Sequence, residues 1–236
     1  MKQHHRRLGL LTLAVSTVLG LALGLADSPV LRVQQITVVA PTPGLAEEVR
    51  RQLRVPVEAS TLLLPLNRVS RQATSCYRVE AARVERVFPH GLSIAVTARE
   101  PLAALRDPEG FTLVSREGIC LYRQAGRPHL PVFVGLTEPR PVLGSRVAVE
   151  RWRWALDVLA GASKAGLRNG LVADFTQPHR VMLQTPAGLR GNLGNVNSLA
   201  RKLIILSHVV KQMAREGHRV VTIDVSTPEA PVWTTA

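Results

Sequence analysis

The sequence predicts an α+β protein. A single N-terminal apolar helix leads into a small domain of order β-α-α-β-β, followed by a second mixed α/β domain that ends in a C-terminal strand. Three observations predict this. Residues 8–25 are an uncharged run directly behind a basic cluster. Residues 31–98 alternate β-branched runs with two short four-residue apolar periods. Residues 145–226 carry two helix-length apolar stripes among strand-like segments.

The N-terminal run, Leu8 to Leu25, holds 18 residues without a charge, and Ala26 extends it. A helix rises about 1.5 Å per residue and a hydrocarbon core takes about 20 apolar positions, so residues 8–26 form a transmembrane helix with slight tilt or local thinning. Lys2, Arg6 and Arg7 precede it and no basic residue follows until Arg32, which places residues 1–7 in the cytoplasm and the rest outside, a single-pass type II arrangement. The same stretch also fits a cleaved signal peptide, with Gly24-Leu25-Ala26 as the small-x-small site before Asp27.

The chain has 30 basic against 17 acidic residues, a net charge of +13. Setting aside Lys2, Arg6 and Arg7, the outer part keeps 27 against 17, which suits an acidic partner, anionic lipid or acidic wall polymer. The arginines are scattered and no nucleic-acid motif accompanies them, so a nucleic-acid partner is not expected. Cys76 and Cys120 can form a disulfide in an oxidising compartment or remain two buried thiols.

Along the outer part, Leu31 to Ala40 reads as an edge or half-buried strand. Leu45, Val49 and Leu53 mark a short helix capped by Thr42, with Pro43 in its first turn. An apolar plug at Leu62–Leu64 precedes a second helix near 67–74, with Leu66, Val69 and Ala73 inward. Val79 to Val87 forms a strand with a bulge near Ala81-Ala82. Pro89-His90-Gly91 turns the chain into a strand where Leu92, Ile94 and Val96 alternate.

The phrase Val79, Ala82, Val84, Arg86, Pro89, followed by Arg99 and Pro101, resembles the POTRA domain of the FtsQ/DivIB family of bacterial cell-division proteins. Ala98 departs from the glutamate that many relatives carry before that arginine. Arg116-Glu117-Gly118 reads as a hairpin turn and His129 to Gly135 as a further family string, although Ser115 stands where relatives have aspartate. The resemblance places a POTRA domain at 31–100 and a C-terminal β domain at 101–236.

In that second domain, Val149, Trp152, Leu156 and Leu159 define a helix capped by Ser145 and stopped by Gly161. Gly170–Phe175 and Arg180–Gln184 read as strands. Leu189 to Asn195, LRGNLGN, reads as a turn leading to a helix cap at Asn195 or Asn197. Leu199, Leu203, Leu206, Val210 and Met213 stripe a long helix over 197–216, ended by Gly217. His218 to Ser226 reads as the closing strand.

No catalytic constellation emerges. Cys76 lacks a base partner, the histidines stand isolated, and Asp174 and Asp224 lie 50 residues apart. Gly188 to Asn195 lacks the ending of a phosphate loop. The expectation is a non-enzymatic protein without cofactor or metal.

The resemblance implies a divisome scaffold at the septum of the bacterial plasma (inner) membrane. It links assembly to septal peptidoglycan synthesis by binding FtsB/DivIC-like and FtsL-like bitopic proteins, and further division proteins such as FtsW/FtsI-like ones. Partner-binding residues implied are Arg201, Lys202, Ser226, Thr227, Glu229, Ala230, Val232 and Trp233. The closing strand is expected to offer an unpaired edge, with Pro228 and Pro231 opposing long pairing beyond it. The alternatives are a POTRA-bearing transport or secretion component, and an exported wall-modifying enzyme.

Overall fold

The computed structural model describes residues 29–56, 59–136, 141–167, 170–177, 179–218 and 220–235. The expected membrane span at 8–26 and the segment 1–7 lie outside the described residues. No helix among the described residues is long and apolar enough to cross a membrane. The chain divides into two compact units, Met1–Arg99 and Glu100–Ala236.

The first unit follows the order β1 (Gln35–Val39), α1 (Pro43–Gln52), α2 (Leu66–Thr74), β2 (Val79–Val87), β3 (Gly91–Ala98). Helix α1 starts where Thr42 is extended and its Oγ1 accepts a hydrogen bond from Leu45 N at 3.4 Å, with Pro43 supplying a pre-set φ. It buries Leu45 and Val49, and α2 buries Val69 and Ala73. The sheet order is β1-β3-β2, with β3 parallel to β1 and antiparallel to β2. Central placement explains why Leu92, Ile94 and Val96 of β3 are all buried. The register shifts between Val79 and Ala81, so the bulge falls beside the expected position.

Arg86 of the POTRA-like phrase has a structural task. Its guanidinium donates from Nε to Thr61 O at 2.6 Å and from Nη2 to Leu62 O and Leu64 O at 3.2 and 2.9 Å. A planar donor fork thus gathers three carbonyls of the plug and the residue before it. Arg99 Nε likewise donates to Tyr77 O at 3.1 Å, closing the unit where β3 ends.

The second unit runs β4 (Pro101–Asp107), β5 (Gly110–Ser115), β6 (Cys120–Gln124), β7 (Val132–Val134), α3 (Val149–Ala165), β8 (Val172–Asp174), β9 (Val181–Gln184), β10 (Arg190–Gly194), α4 (Leu199–Arg215), β11 (Val220–Asp224) and β12 (Val232–Thr235). The strands, three to seven residues long, join one nine-stranded sheet of order β12-β11-β10-β9-β8-β7-β4-β5-β6. The pairs β4–β7, β7–β8 and β10–β11 are parallel, and α3 and α4 are the crossovers of the last two. Their apolar faces share a core with Phe133, Leu183, Leu193 and Ile223 of the sheet and with Phe175, directly after β8.

Several expectations are corrected here. Helix α3 begins after Ala148 rather than at a Ser145 cap, and Ser145 Oγ instead donates to Val142 O at 2.6 Å. Gly161 does not stop it. A Cβ at that position would lie 2.8 Å from Leu203 Cβ, so the glycine sits inside α3 as the point of close approach to α4, and Gly166 at φ 73° ends the helix. The buried face of α3 is Trp152, Ala155, Val158, Leu159, Ala162 and Ala165, while Val149 and Leu156 are exposed. LRGNLGN is not a turn: Arg190–Gly194 is β10, and a Cβ on Gly191 would meet Leu206 Cδ1 at 2.7 Å. Besides β10, three strands, β4, β7 and β12, lie in segments for which no strand was expected.

Candidate partner-binding edge

The C-terminal end of the sheet is a hairpin. Strand β11 lies between β10 and β12, so the closing strand does not offer the free edge; β12 does. Pro228 and Pro231 sit in the connection, outside both strands, where a missing N–H costs no ladder bond. Among the described residues β12 has β11 on one side and no strand on the other, and its four residues are all exposed. The opposite edge is partly blocked: Cys120 N of β6 donates to Ser145 O at 2.9 Å and Gly144 N donates to Cys120 O at 2.8 Å.

Register sets the two faces of β12. Trp233 stands opposite Ile223, a core residue under the helices, whereas Val232 stands opposite Asp224. Side chains directly opposite share a face, so Trp233 covers the helix side and Val232 the other. Their exposures are 40% and 65%.

Asp224 anchors the start of the hairpin. Its Oδ1 accepts Ser226 N at 2.8 Å and Ser226 Oγ at 2.6 Å, and its Oδ2 accepts Asn192 Nδ2 of β10 at 2.7 Å. Burial pushes this carboxyl up, but the Ser226 and Asn192 donors, with the field of Arg180, outweigh it and hold its pKa below the usual carboxylate value. Asn192 Oδ1 accepts Gly194 N at 3.1 Å, and Val225 N donates to Asn192 O at 2.9 Å. Asn192 was not foreseen, because its role exists only once β10 and β11 are neighbours.

Because β10 and β11 are parallel and α4 follows β10, the start of α4 and the residues after β11 lie at one end of the sheet. Arg201 is exposed there, as are Ser226, Thr227, Glu229 and Ala230. Ala230 N donates to Thr227 O at 3.1 Å, which tightens the connection. Lys202 differs from the surface contact expected of it. Only 3% exposed, its Nζ donates to Asn195 O and Oδ1 at 3.1 and 3.0 Å. Burial lowers its pKa. The neighbouring Gly194 lies against Ser226, whose Cβ would be 2.7 Å from a Cβ at 194. Lys202 therefore positions the turn that backs the hairpin.

Other candidates do not converge. Asp174 and Asp224 sit on β8 and β11, with two strands between them, roughly 14 Å apart at ordinary strand spacing. Each instead binds the hydroxyl and N–H two residues later, Thr176 and Ser226. Cys76 and Cys120 are free and buried, and burial raises both thiols. A cleft of about 590 Å³ lined by Arg127, Pro128, His129, Gly170 and Pro186 brings no nucleophile to His129. Among the described residues no three His, Cys, Asp or Glu side chains gather to hold a metal.

Residues 31–99 match the POTRA domain of FtsQ type. The chain is also 29% identical over 126 residues to the cell division protein FtsQ of Mycobacterium tuberculosis, covering 52% of this chain and 40% of that protein. The chain is homologous to the FtsQ/DivIB family. The FtsQ of Mycobacterium leprae is 28% identical over 212 residues, 90% of this chain and 58% of that one. That of Mycobacteroides abscessus is 26% identical over 230 residues, 94% and 69% respectively. The chain thus spans between two fifths and about two thirds of the length of these FtsQ relatives.

Proposed function

We propose that this chain is a non-enzymatic scaffold of the bacterial divisome, anchored by residues 8–26, with both folded units outside the cytoplasm at the septum. It binds FtsB/DivIC-like and FtsL-like bitopic proteins, with FtsW/FtsI-like proteins as further contacts, and so couples assembly to septal peptidoglycan synthesis. The observation that carries this reading is the exposed β12 edge, bearing Val232 and Trp233. An edge strand supplies backbone donors and acceptors in register, and flanking side chains on both faces add selectivity. The exposed Arg201, at the same end, favours an acidic segment of the partner. Confinement of all components to one membrane makes several modest contacts effective together.

Affinity capture from detergent-solubilised membranes tests the reading, comparing the full chain with Trp233→Ala, Val232→Arg and a chain ending at Ser226. The full chain retrieves small coiled-coil division proteins and the variants lose them. Trp233→Ala weakens binding by about 2 kcal/mol, roughly thirtyfold. The point variants matter because truncation opens the edge of β11, which can itself recruit a strand. Equal retrieval by all four chains would remove β12 as the site.

A further inference from the structure

We propose that the end of the first unit where the chain enters from the N-terminal side is a membrane-interface surface, with Val30, Leu62, Leu63, Val87 and Phe88 resting in the headgroup layer of the outer face. This rests on the anchor reading of residues 8–26. The five side chains are 63%, 44%, 63%, 53% and 59% exposed. Three sets of hydrogen bonds gather them from separate parts of the sequence. Thr61 N donates to Leu31 O at 2.6 Å and Val33 N to Ala59 O at 2.9 Å, laying the plug beside the incoming segment. The Arg86 guanidinium ties plug carbonyls to the end of β2, next to Val87 and Phe88. Gln34 N and Gln35 N donate to His90 O at 2.9 and 3.2 Å, tying the β2–β3 turn to the start of β1. The only other large apolar side chain of this unit that is strongly exposed among the described residues, Val39, lies at the far end of β1.

Turns ordinarily present polar residues, and an apolar group spread over two turns and the chain segments beside them marks a surface that is covered in use. Reach decides what covers it. Val30 lies four residue steps beyond Ala26, the expected end of the span, and an extended chain covers at most about 3.6 Å per residue. Val30 thus stays within about 14 Å of the hydrocarbon boundary, outside which the headgroup layer is itself about 5–7 Å deep. Exposed Arg32, beside the incoming strand, and Arg68, in the first turn of α2, give the rim a charge suited to anionic headgroups.

The test uses the full chain in lipid nanodiscs of phosphatidylethanolamine and phosphatidylglycerol, with an environment-sensitive fluorophore at Leu63→Cys, Phe88→Cys or Val39→Cys. The two native thiols are buried, and the unsubstituted chain reports their background. Nitroxide carried near the lipid headgroup is expected to quench the labels at 63 and 88 at least twofold more than the label at 39. Equal quenching at all three overturns the proposal. So does shielding of 63 and 88 from aqueous iodide without lipid quenching, which assigns the surface to a protein. A label at Thr17→Cys with a deep nitroxide tests the anchor separately. Quenched Thr17 with dry-lipid-insensitive 63 and 88 leaves the anchor standing and ends the surface proposal. Unquenched Thr17 ends the anchor reading, and the surface then survives only if 63 and 88 are still quenched.

Discussion

Lys202 and Asp224 show how single charges hold the end of the second unit. The Lys202 ammonium is buried yet answered by two oxygens of Asn195, so its charge fixes the turn before α4. The Asp224 carboxylate receives three donors, and its lowered pKa gives the sign of a pH effect. A depressed carboxyl stabilises the fold above its ordinary unfolded value, near 4, and loses that contribution as pH falls through its folded value. Urea unfolding of the wild type is expected to show a loss near the acid end that Asp224→Asn lacks, with solvent screening holding the difference to about 1 kcal/mol. Ser198 offers a second measurement. It is the only non-glycine residue with positive φ among the described residues, at 56°, and its side chain makes no cap bond to α4. Ser198→Gly should raise stability by about 0.5–1 kcal/mol in the same unfolding experiment, because relief of left-handed strain costs no hydrogen bond.

At the scale of elements, the α3–α4 contact is set by a missing side chain. With Leu203 Cβ and Ala200 Cα at 2.8 and 3.0 Å from a Cβ on Gly161, Gly161→Ala must push the helices apart. Ordinary helix propensity favours alanine by about 1 kcal/mol, yet overpacking costs about 1–3 kcal/mol, so the variant is expected to lower the thermal midpoint. A raised midpoint would mean that the helices separate freely. The hairpin β11–β12 was half legible. The alternating Val221, Ile223 and Val225 marked one strand, and Val232 to Thr235 has strand-forming residues directly behind Pro231, a boundary signal that was available in the sequence. Reading the prolines as opponents of pairing hid the fact that they bracket a connection. A motif also passed unnoticed: Asp174-Phe175-Thr176-Gln177-Pro178 and Asp224-Val225-Ser226-Thr227-Pro228 share one pattern, and in both the aspartate closes a strand onto the following Thr or Ser.

For the whole molecule, the two main cores draw on separate stretches, Val38 to Val96 in one and Ala103 to Val225 in the other. Residues 100–236 expressed alone are therefore expected to unfold in one cooperative transition by circular dichroism, and a gradual, non-cooperative melt would refute that independence. The order of elements in the first unit, the inward faces of α2 and α4 and the closing strand were determined by the sequence itself. Periods of 2 and 3.6 are local properties, and a segment with one buried face carries its own record of that burial. The tertiary structure decided which strand became the edge, that Lys202 turns inward, and that Gly161 and Gly191 mark close approaches. Each of those depends on Ala200, Leu203, Leu206, Asn195 or Trp233 arriving from elsewhere in the fold, and a glycine that makes room for a distant side chain looks, in sequence, like one that makes a turn.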